Sequence, residues 1–442
     1  MKAVLNAIPV CVFATKEQRT RPSIRYAEPG EFTRRAFHNA RLDLVQVEAL
    51  SDALSAETEQ QRRVAIQSSA NGLTARYERW RQLLLHARAE MEALIDFAED
   101  QDFDESADRL MSSTWAQVSV LKTELRCHVE NACKGELLRD GISLALLGSP
   151  NAGKSSLLNI IVGREAAIVN SEAGTTRDVM DIHVDIGGWL CRLGDMAGLR
   201  QSSAPAELPA GIVGAVEKEG MRRAKARALS SDVVLVLVSL ESTPSCDGSS
   251  LHLNPELIDA VQGCKATGKQ VVVAINKTDT LCATTAPREL SRVSAQIRKI
   301  LPFVAEEDIC AISCLEAGNP GTKAEDPGNI QHLLRSLQRI FDAMTKASTA
   351  SGGFEDRAYW QTSLAVSHRQ RQLLQQCSDH MDDYLSYTGY YERQHGEPLS
   401  SAEVDVAVAA EHLRAASNCL AKTTGKAEGA DVEEVLGAVF EK

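Results

Sequence analysis

Apolar residues recur at helical spacing soon after the start of the chain. Leu42, Val45, Ala49, Leu50, Ala53 and Leu54 lie three and four residues apart, and Tyr77, Trp80, Leu84, Ala87, Met91, Leu94 and Ile95 form one stripe across 76–97. A third helix is predicted over 114–134. No proline interrupts these segments, as long helices require. Residues 1–38 read as a short strand-containing piece.

The period changes at Gly141. Ile142–Leu147, Val233–Val238 and Val271–Ile275 are short, continuous apolar runs rich in β-branched residues, the signature of strands buried on both faces. Helical stretches separate them, and loops rich in Ser, Pro and Gly punctuate them at 201–210, 241–250 and 316–329. Beyond about 350 the pattern is helical again. Val406, Ala410, Leu413, Ala416 and Leu420 make one stripe, and Val432, Val435, Leu436, Val439 and Phe440 a short last one. The expected architecture is an α/β domain, a parallel-type sheet with flanking helices, inserted into an all-α helical domain. Two independent helical domains are the alternative.

At 442 residues the chain is too long for one core, and about two or three domains are expected. Its formal net charge of -12 argues against non-specific coating of nucleic acid. A local basic stretch (Arg19, Arg21, Arg25, Arg34, Arg35, Arg41) is as well read as a solvated surface. The eleven cysteines show no C-x-x-C pair, and Cys310 and Cys314 lack a partner pair at zinc spacing. They read as reduced thiols. There is no secretory signal, and no apolar run reaches the roughly 20 residues of a membrane span.

The chemistry lies in five ordered blocks. Gly148-Ser149-Pro150-Asn151-Ala152-Gly153-Lys154-Ser155 is a full G-x-x-x-x-G-K-S phosphate loop between a predicted strand and a helix starting near Lys154, the context that gives the motif meaning. Asn151, Ala152, Gly153, Lys154, Ser155 and Ser156 are the expected phosphate contacts, with Lys154 against the β- and γ-phosphates and Ser155 on Mg²⁺. A glycine turn in a plain dinucleotide-type sheet is the rival reading. Within Gly174–Asp178, Thr175 and Thr176 are nucleotide contacts, and Thr176 is the second Mg²⁺ ligand. Asp195 and Gly198 fit a D-x-x-G element after the run Trp189–Leu193. Asn276, Lys277 and Asp279 form the guanine reader, because two carboxylate oxygens suit the paired N–H donors of guanine and adenine lacks that pair. Ser313 and Cys314, after Asp308–Ile312, fit the last base-contacting turn. The expected substrate is therefore GTP.

Leu199 follows the D-x-x-G element where a glutamine would orient water, so hydrolysis needs another device. The Asn151 amide oxygen offers a site for a monovalent cation beside the phosphates; otherwise it is a plain turn residue.

These blocks, with Pro29-Gly30-Glu31-Phe32-Thr33-Arg34-Arg35-Ala36-Phe37 and the run Arg41–Ala49 that generic GTPases lack, resemble the MnmE/TrmE family of tRNA modification GTPases, essentially end to end, including its fungal mitochondrial members. The resemblance implies a tetrahydrofolate-binding domain of which 1–38 is a remnant, a helical domain in two parts (39–138 and 349–442) and a TrmE-type G domain at 139–348. It implies GTP hydrolysis activated by K⁺ and by homodimerisation, an MnmG-type FAD protein as partner, and a tetrahydrofolate derivative as one-carbon donor. The product would be an aminomethyl-type group on C5 of the wobble uridine (position 34) of tRNA. On the residues, it implies K⁺ held by Asn151, Asn170, Glu172 and Thr175, Glu217 (before Gly220) as the catalytic glutamate that positions water beside catalytic Lys154, and Arg41 as a folate contact. Mitochondrial location follows by resemblance, cytoplasmic if the source is bacterial.

Three departures are visible. The family's N-terminal domain is much longer, its members end in Phe-Cys-Ile-Gly-Lys where this sequence ends Phe440-Glu441-Lys442, and Met196 replaces a threonine in D-T-A-G. The first two lead us to expect an incomplete folate pocket, GTP binding surviving. Two other readings exist: a ribosome-assembly GTPase switch without modification activity, for which no second phosphate loop or basic C-terminal tail is present, and a scaffold that binds GTP but has lost modification.

Overall fold

Residues 27–69, 72–97, 107–149, 151–164, 182–193, 222–241, 250–251, 254–281, 286–319, 326–349, 357–395 and 405–426 are described by the computed structural model. They fall into two compact units, Met1–Ser51 with Ser68–Arg126 and Gln372–Lys442, and Asp52–Gln67 with Cys127–Arg371. The expected strands of 1–38 fall outside the described residues; residues 31–38 within that span form a helix, Glu31–His38. The last expected helix, 432–440, also lies outside them.

The second unit is built on a sheet of β1 Ile142–Gly148, β2 Ile182–Ile186, β3 Trp189–Leu193, β4 Val233–Glu241, β5 Ser250–Leu251, β6 Gln270–Asn276 and β7 Ile309–Ala311. The order is β2-β3-β1-β4-β6-β7, with β5 on β4. From β3 to β7 every pairing along this order is parallel. The β2–β3 hairpin and β5 are antiparallel, so the sheet is mixed rather than wholly parallel. The reason is length: two residues, Gly187 and Gly188, join β2 to β3 with φ of 61° and 95°, and a two-residue turn permits only an antiparallel return.

The continuous apolar runs are explained by two cores. Along β4, Val233, Leu235 and Leu237 enter one core, and Val234, Val236 and Val238 the other. The first core is closed by Leu157, Leu158 and Ile161 of helix Lys154–Arg164 and by Leu333, Leu334, Leu337 and Phe341 of helix Ile330–Thr345. The second is closed by Leu257, Ala260, Val261 and Cys264 of Pro255–Ala266 and by Val293 and Ile297 of Ala286–Ile300. Both faces are covered, so no strand position has to be polar. The β1 end thus emerges from a rigid, doubly buried strand, and the loop after it starts from a defined place.

In the first unit, the helix Gly72–Phe97 buries Leu73, Tyr77, Trp80, Leu84, Ala87, Met91 and Leu94. Ile95, expected on the same stripe, is 41% exposed; the stripe steps from Met91 to Leu94, and Ile95 falls off its edge. Helix Leu44–Ser55 differs similarly, for Val45 and Ala49 are buried while Leu54 is 81% exposed. Val406–Thr424 buries Ala410, Leu413, Ala416 and Leu420 as expected. The third helix runs Ala107–Asp140, longer than predicted at both ends. The described cysteines are free thiols, and no described helix is long and apolar enough to cross a membrane.

Candidate functional site

The phosphate loop connects the end of β1 to helix Lys154–Arg164. Gly148 pairs with Leu237 of β4, and a Cβ there would lie 2.5 Å from the Leu237 carbonyl oxygen; only glycine lets the strand end that close. Asn151 turns the chain with φ 62° and Gly153 with φ 97°, conformations that asparagine tolerates and glycine adopts freely. The Leu157 N–H donates to the Gly153 carbonyl at 2.9 Å, so the N–H groups of Lys154, Ser155 and Ser156 precede the helical ladder and form its anion-attracting end. Ser155 and Ser156 are exposed. The Lys154 ammonium curls back, donating to the carbonyl oxygens of Gly148 (2.9 Å) and Ser149 (2.8 Å). Burial pushes its pKa below the ordinary lysine value, a cost that a polyanion in the loop relieves.

The base-reading block sits after β6. Lys277 takes a left-handed φ of 65° and Asp279 lies in a 3-10 turn, Thr278–Thr280. This turn is joined to the segment after β7: the Thr278 N–H and Oγ1 both donate to the Ile312 carbonyl, at 3.3 and 3.0 Å. The Ser313 hydroxyl donates to Asp279 Oδ1 at 2.6 Å and accepts from the Glu316 N–H at 3.2 Å, so it orients the carboxylate and caps the helix Cys314–Gly318 together. Burial pushes the Cys314 thiol up to about 11, so it stays protonated near neutral pH.

Asn276 is 2% exposed. Its Nδ2 donates to the Ala152 carbonyl at 2.8 Å and its Oδ1 accepts from the Cys314 N–H at 3.1 Å. It therefore ties the phosphate loop to both base-side turns. One carboxamide can do this because it carries a donor and an acceptor on one planar group.

Asn151, Ala152, Gly153, Lys154, Ser155, Ser156, Asn276, Lys277, Asp279, Ser313 and Cys314 are thus drawn together at the ends of β1, β6 and β7. Asn170, Glu172, Thr175, Thr176, Asp195, Gly198 and Glu217 lie outside the described residues. Arg41 belongs to the other unit, exposed in the turn after Glu31–His38, where its N–H donates to the Ala36 carbonyl at 2.9 Å.

Two contributors went unassigned in the sequence. Thr278 was visible only as the third residue of the Asn-Lys-Thr-Asp block. Gly328 accepts the Ser313 N–H at 3.0 Å, and a Cβ on it would lie 2.1 Å from the Ser313 carbonyl oxygen. Its signal was the Pro327-Gly328 turn dipeptide, which by itself says nothing about a base site.

The arrangement suits a nucleoside triphosphate: a ring of N–H donors and one ammonium at one end, a positioned carboxylate at the other. Comparison with known proteins agrees. A family model described as the MnmE helical domain matches residues 44–442. A protein of Agrobacterium fabrum named tRNA modification GTPase MnmE is 32% identical over 435 residues, covering 98% of this chain and 78% of that one. Its counterpart in Paramagnetospirillum magneticum is 34% identical over 417 residues, covering 94% and 76%. The mitochondrial tRNA modification GTPase mss1 of Schizosaccharomyces pombe is 31% identical over 421 residues, covering 95% and 74%. With that extent of similarity and a phosphate loop and base-side turn held in one hydrogen-bonded frame, the chain belongs to the MnmE family.

Proposed function

We propose that this protein is a GTPase of tRNA modification that works in mitochondria with an MnmG-type FAD protein. Together they install an aminomethyl-type group on C5 of wobble uridine, with a folate one-carbon unit as donor. The reading is carried by family membership over nearly the whole chain, joined to a nucleotide site whose phosphate and base ends are linked through Asn276.

Asp279 selects guanine by accepting its two N–H donors, while Ser313 holds the carboxylate in place. Lys154 and the N–H groups opening the helix bind and orient the phosphates. The exposed Ser155 hydroxyl and the exposed Asn151 carboxamide are oxygen donors of the kind hard cations take. Ser155 with Thr176 would hold Mg²⁺, and Asn151 with Asn170, Glu172 and Thr175 would hold K⁺. When bound, the two ions offset the charge on the β- and γ-phosphates. Glu217 orients the attacking water in place of the glutamine that Leu199 precludes, and Arg41 contributes a positive charge for the folate. Two copies pair through their G domains during turnover.

Mass spectrometry of wobble nucleosides in organellar tRNA from cells lacking the gene tests this. Plain or only thiolated uridine in place of the C5-modified nucleoside is the expected result. Intact modification rejects the tRNA role and leaves the GTPase site standing.

A further inference from the structure

Away from the nucleotide site, two imidazoles and a carboxylate converge in the helical unit. His380 and Asp383 stand three residues apart on helix His368–His395, which puts them on one face. His412 comes from helix Val406–Thr424. Nδ1 of His380 and Nδ1 of His412 each lie 4.0 Å from the same carboxylate oxygen, Asp383 Oδ2. The three ligand atoms all lie within 4.8 Å of one another.

A separation of 4.0 Å is too long for a hydrogen bond, yet two nitrogens address one oxygen. Ligand atoms on one tetrahedral ion with bonds of about 2.0–2.2 Å stand about 3.3–3.6 Å apart, so small side-chain rotations at this partly exposed site bring the three atoms to a shared ion. The Tyr387 ring lies beside His412, with ring centroids 6.4 Å apart. Two imidazole nitrogens with one carboxylate oxygen are a zinc-type donor set, with a fourth position left for water. Mg²⁺ and Ca²⁺ favour all-oxygen sets and fit it poorly.

We infer that His380, Asp383 and His412 bind one Zn²⁺-like divalent ion, which staples helix His368–His395 to helix Val406–Thr424. The ligands are split between two helices, so no local spacing in the sequence announces them. Because the ion binds only the packed arrangement of the two helices, it raises the stability of the folded chain, and the rise grows with the logarithm of free ion above the dissociation constant.

The test uses the full chain, stripped with EDTA and titrated calorimetrically with Zn²⁺ in the absence of nucleotide. The wild type is compared with a His380→Ala/His412→Ala double variant and with Asp383→Asn. The expected result is one equivalent of Zn²⁺ lost, or weakened by roughly tenfold or more, in each variant. The Zn²⁺-dependent rise in Tm disappears with it, while GTP turnover stays at the wild-type rate. Asp383→Asn is isosteric and its side chain is 60% exposed, so it decides the matter if the double variant folds poorly. Equal Zn²⁺ uptake by all three proteins places the metal elsewhere and overturns the proposal, as does a wild type that takes up none.

Discussion

Gly153 and Asn276 are packed so closely that a Cβ on residue 153 would lie 2.2 Å from the Asn276 Nδ2. The same nitrogen donates to the neighbouring Ala152 carbonyl, so the phosphate loop and the base-side turn meet at a point where no side chain fits. Gly153→Ala should therefore displace the Asn276 carboxamide as well as strain a φ of 97°, the strain alone amounting to about 1–2 kcal/mol. GTP affinity should fall roughly tenfold or more, with the fold retained, as read by fluorescent-nucleotide titration and circular dichroism. Unchanged affinity would show that the two loops are not coupled.

The Ser313–Asp279 hydrogen bond predicts a graded pair of variants. Asp279→Asn should remove one of the two acceptors proposed for guanine and weaken GTP binding about 10–100-fold, the worth of a hydrogen bond to a charged group. It should also raise the relative affinity for xanthosine triphosphate, whose base carries an oxygen where guanine has an amino group. Ser313→Ala leaves the carboxylate but unties it, and removes a helix cap worth about 1 kcal/mol. A smaller loss of affinity with a small drop in Tm is expected. Competition titration with the two nucleotides checks the order; an Asp279→Asn protein that binds GTP like the wild type would remove Asp279 from the base site.

Glu217→Ala should abolish GTP turnover while leaving GTP bound, since a water-positioning residue contributes to the barrier and not to ground-state affinity. Turnover of the wild type should rise sharply in K⁺ over Na⁺. Single-turnover hydrolysis in the two salts measures both; equal rates in them would sink the cation mechanism.

Glu136 gives the stability of the second unit a pH dependence. Burial opposes its ionisation, but hydrogen bonds with His368 (2.8 Å) and Arg371 (2.7 Å) outweigh this and hold the carboxyl below the ordinary carboxylate range. A depressed folded-state pKa means that the stabilisation is full above the ordinary carboxylate pKa and is lost as pH falls through the depressed value. Glu136→Gln should thus unfold at lower urea than the wild type near neutrality, with the gap closing in acid. Urea midpoints at both pH values measure it, and a gap that stays constant would deny Glu136 this role.

Much of the molecule was legible before its structure. The runs at β1, β4 and β6 are apolar at every position because both faces are covered, and a continuous run states this directly. Likewise the phosphate loop and the Asn-Lys-Thr-Asp block announce themselves, because their chemistry is local: consecutive residues provide the turn, the N–H groups and the charge. The antiparallel β2–β3 return, by contrast, was missed because its strands are short and their joint is two glycines.

What the sequence alone determined is the type and order of several helices and of the apolar strands β1, β4 and β6, and which motif residues to propose as nucleotide contacts, since periodicity and motif spacing are properties of neighbours in the chain. Only the tertiary structure decided how those residues constrain one another. Asn276, read in the sequence as part of the guanine reader, is also a buried tie between loops. Gly135 is of a residue type that costs a helix interior about 1 kcal/mol relative to alanine, yet a Cβ there would lie 1.8 Å from the Leu364 carbonyl oxygen. His380, Asp383 and His412, from two helices, bring their ligand atoms within 4.8 Å of one another. Each of these depends on distances between residues far apart in sequence, and packing, not propensity, sets those distances.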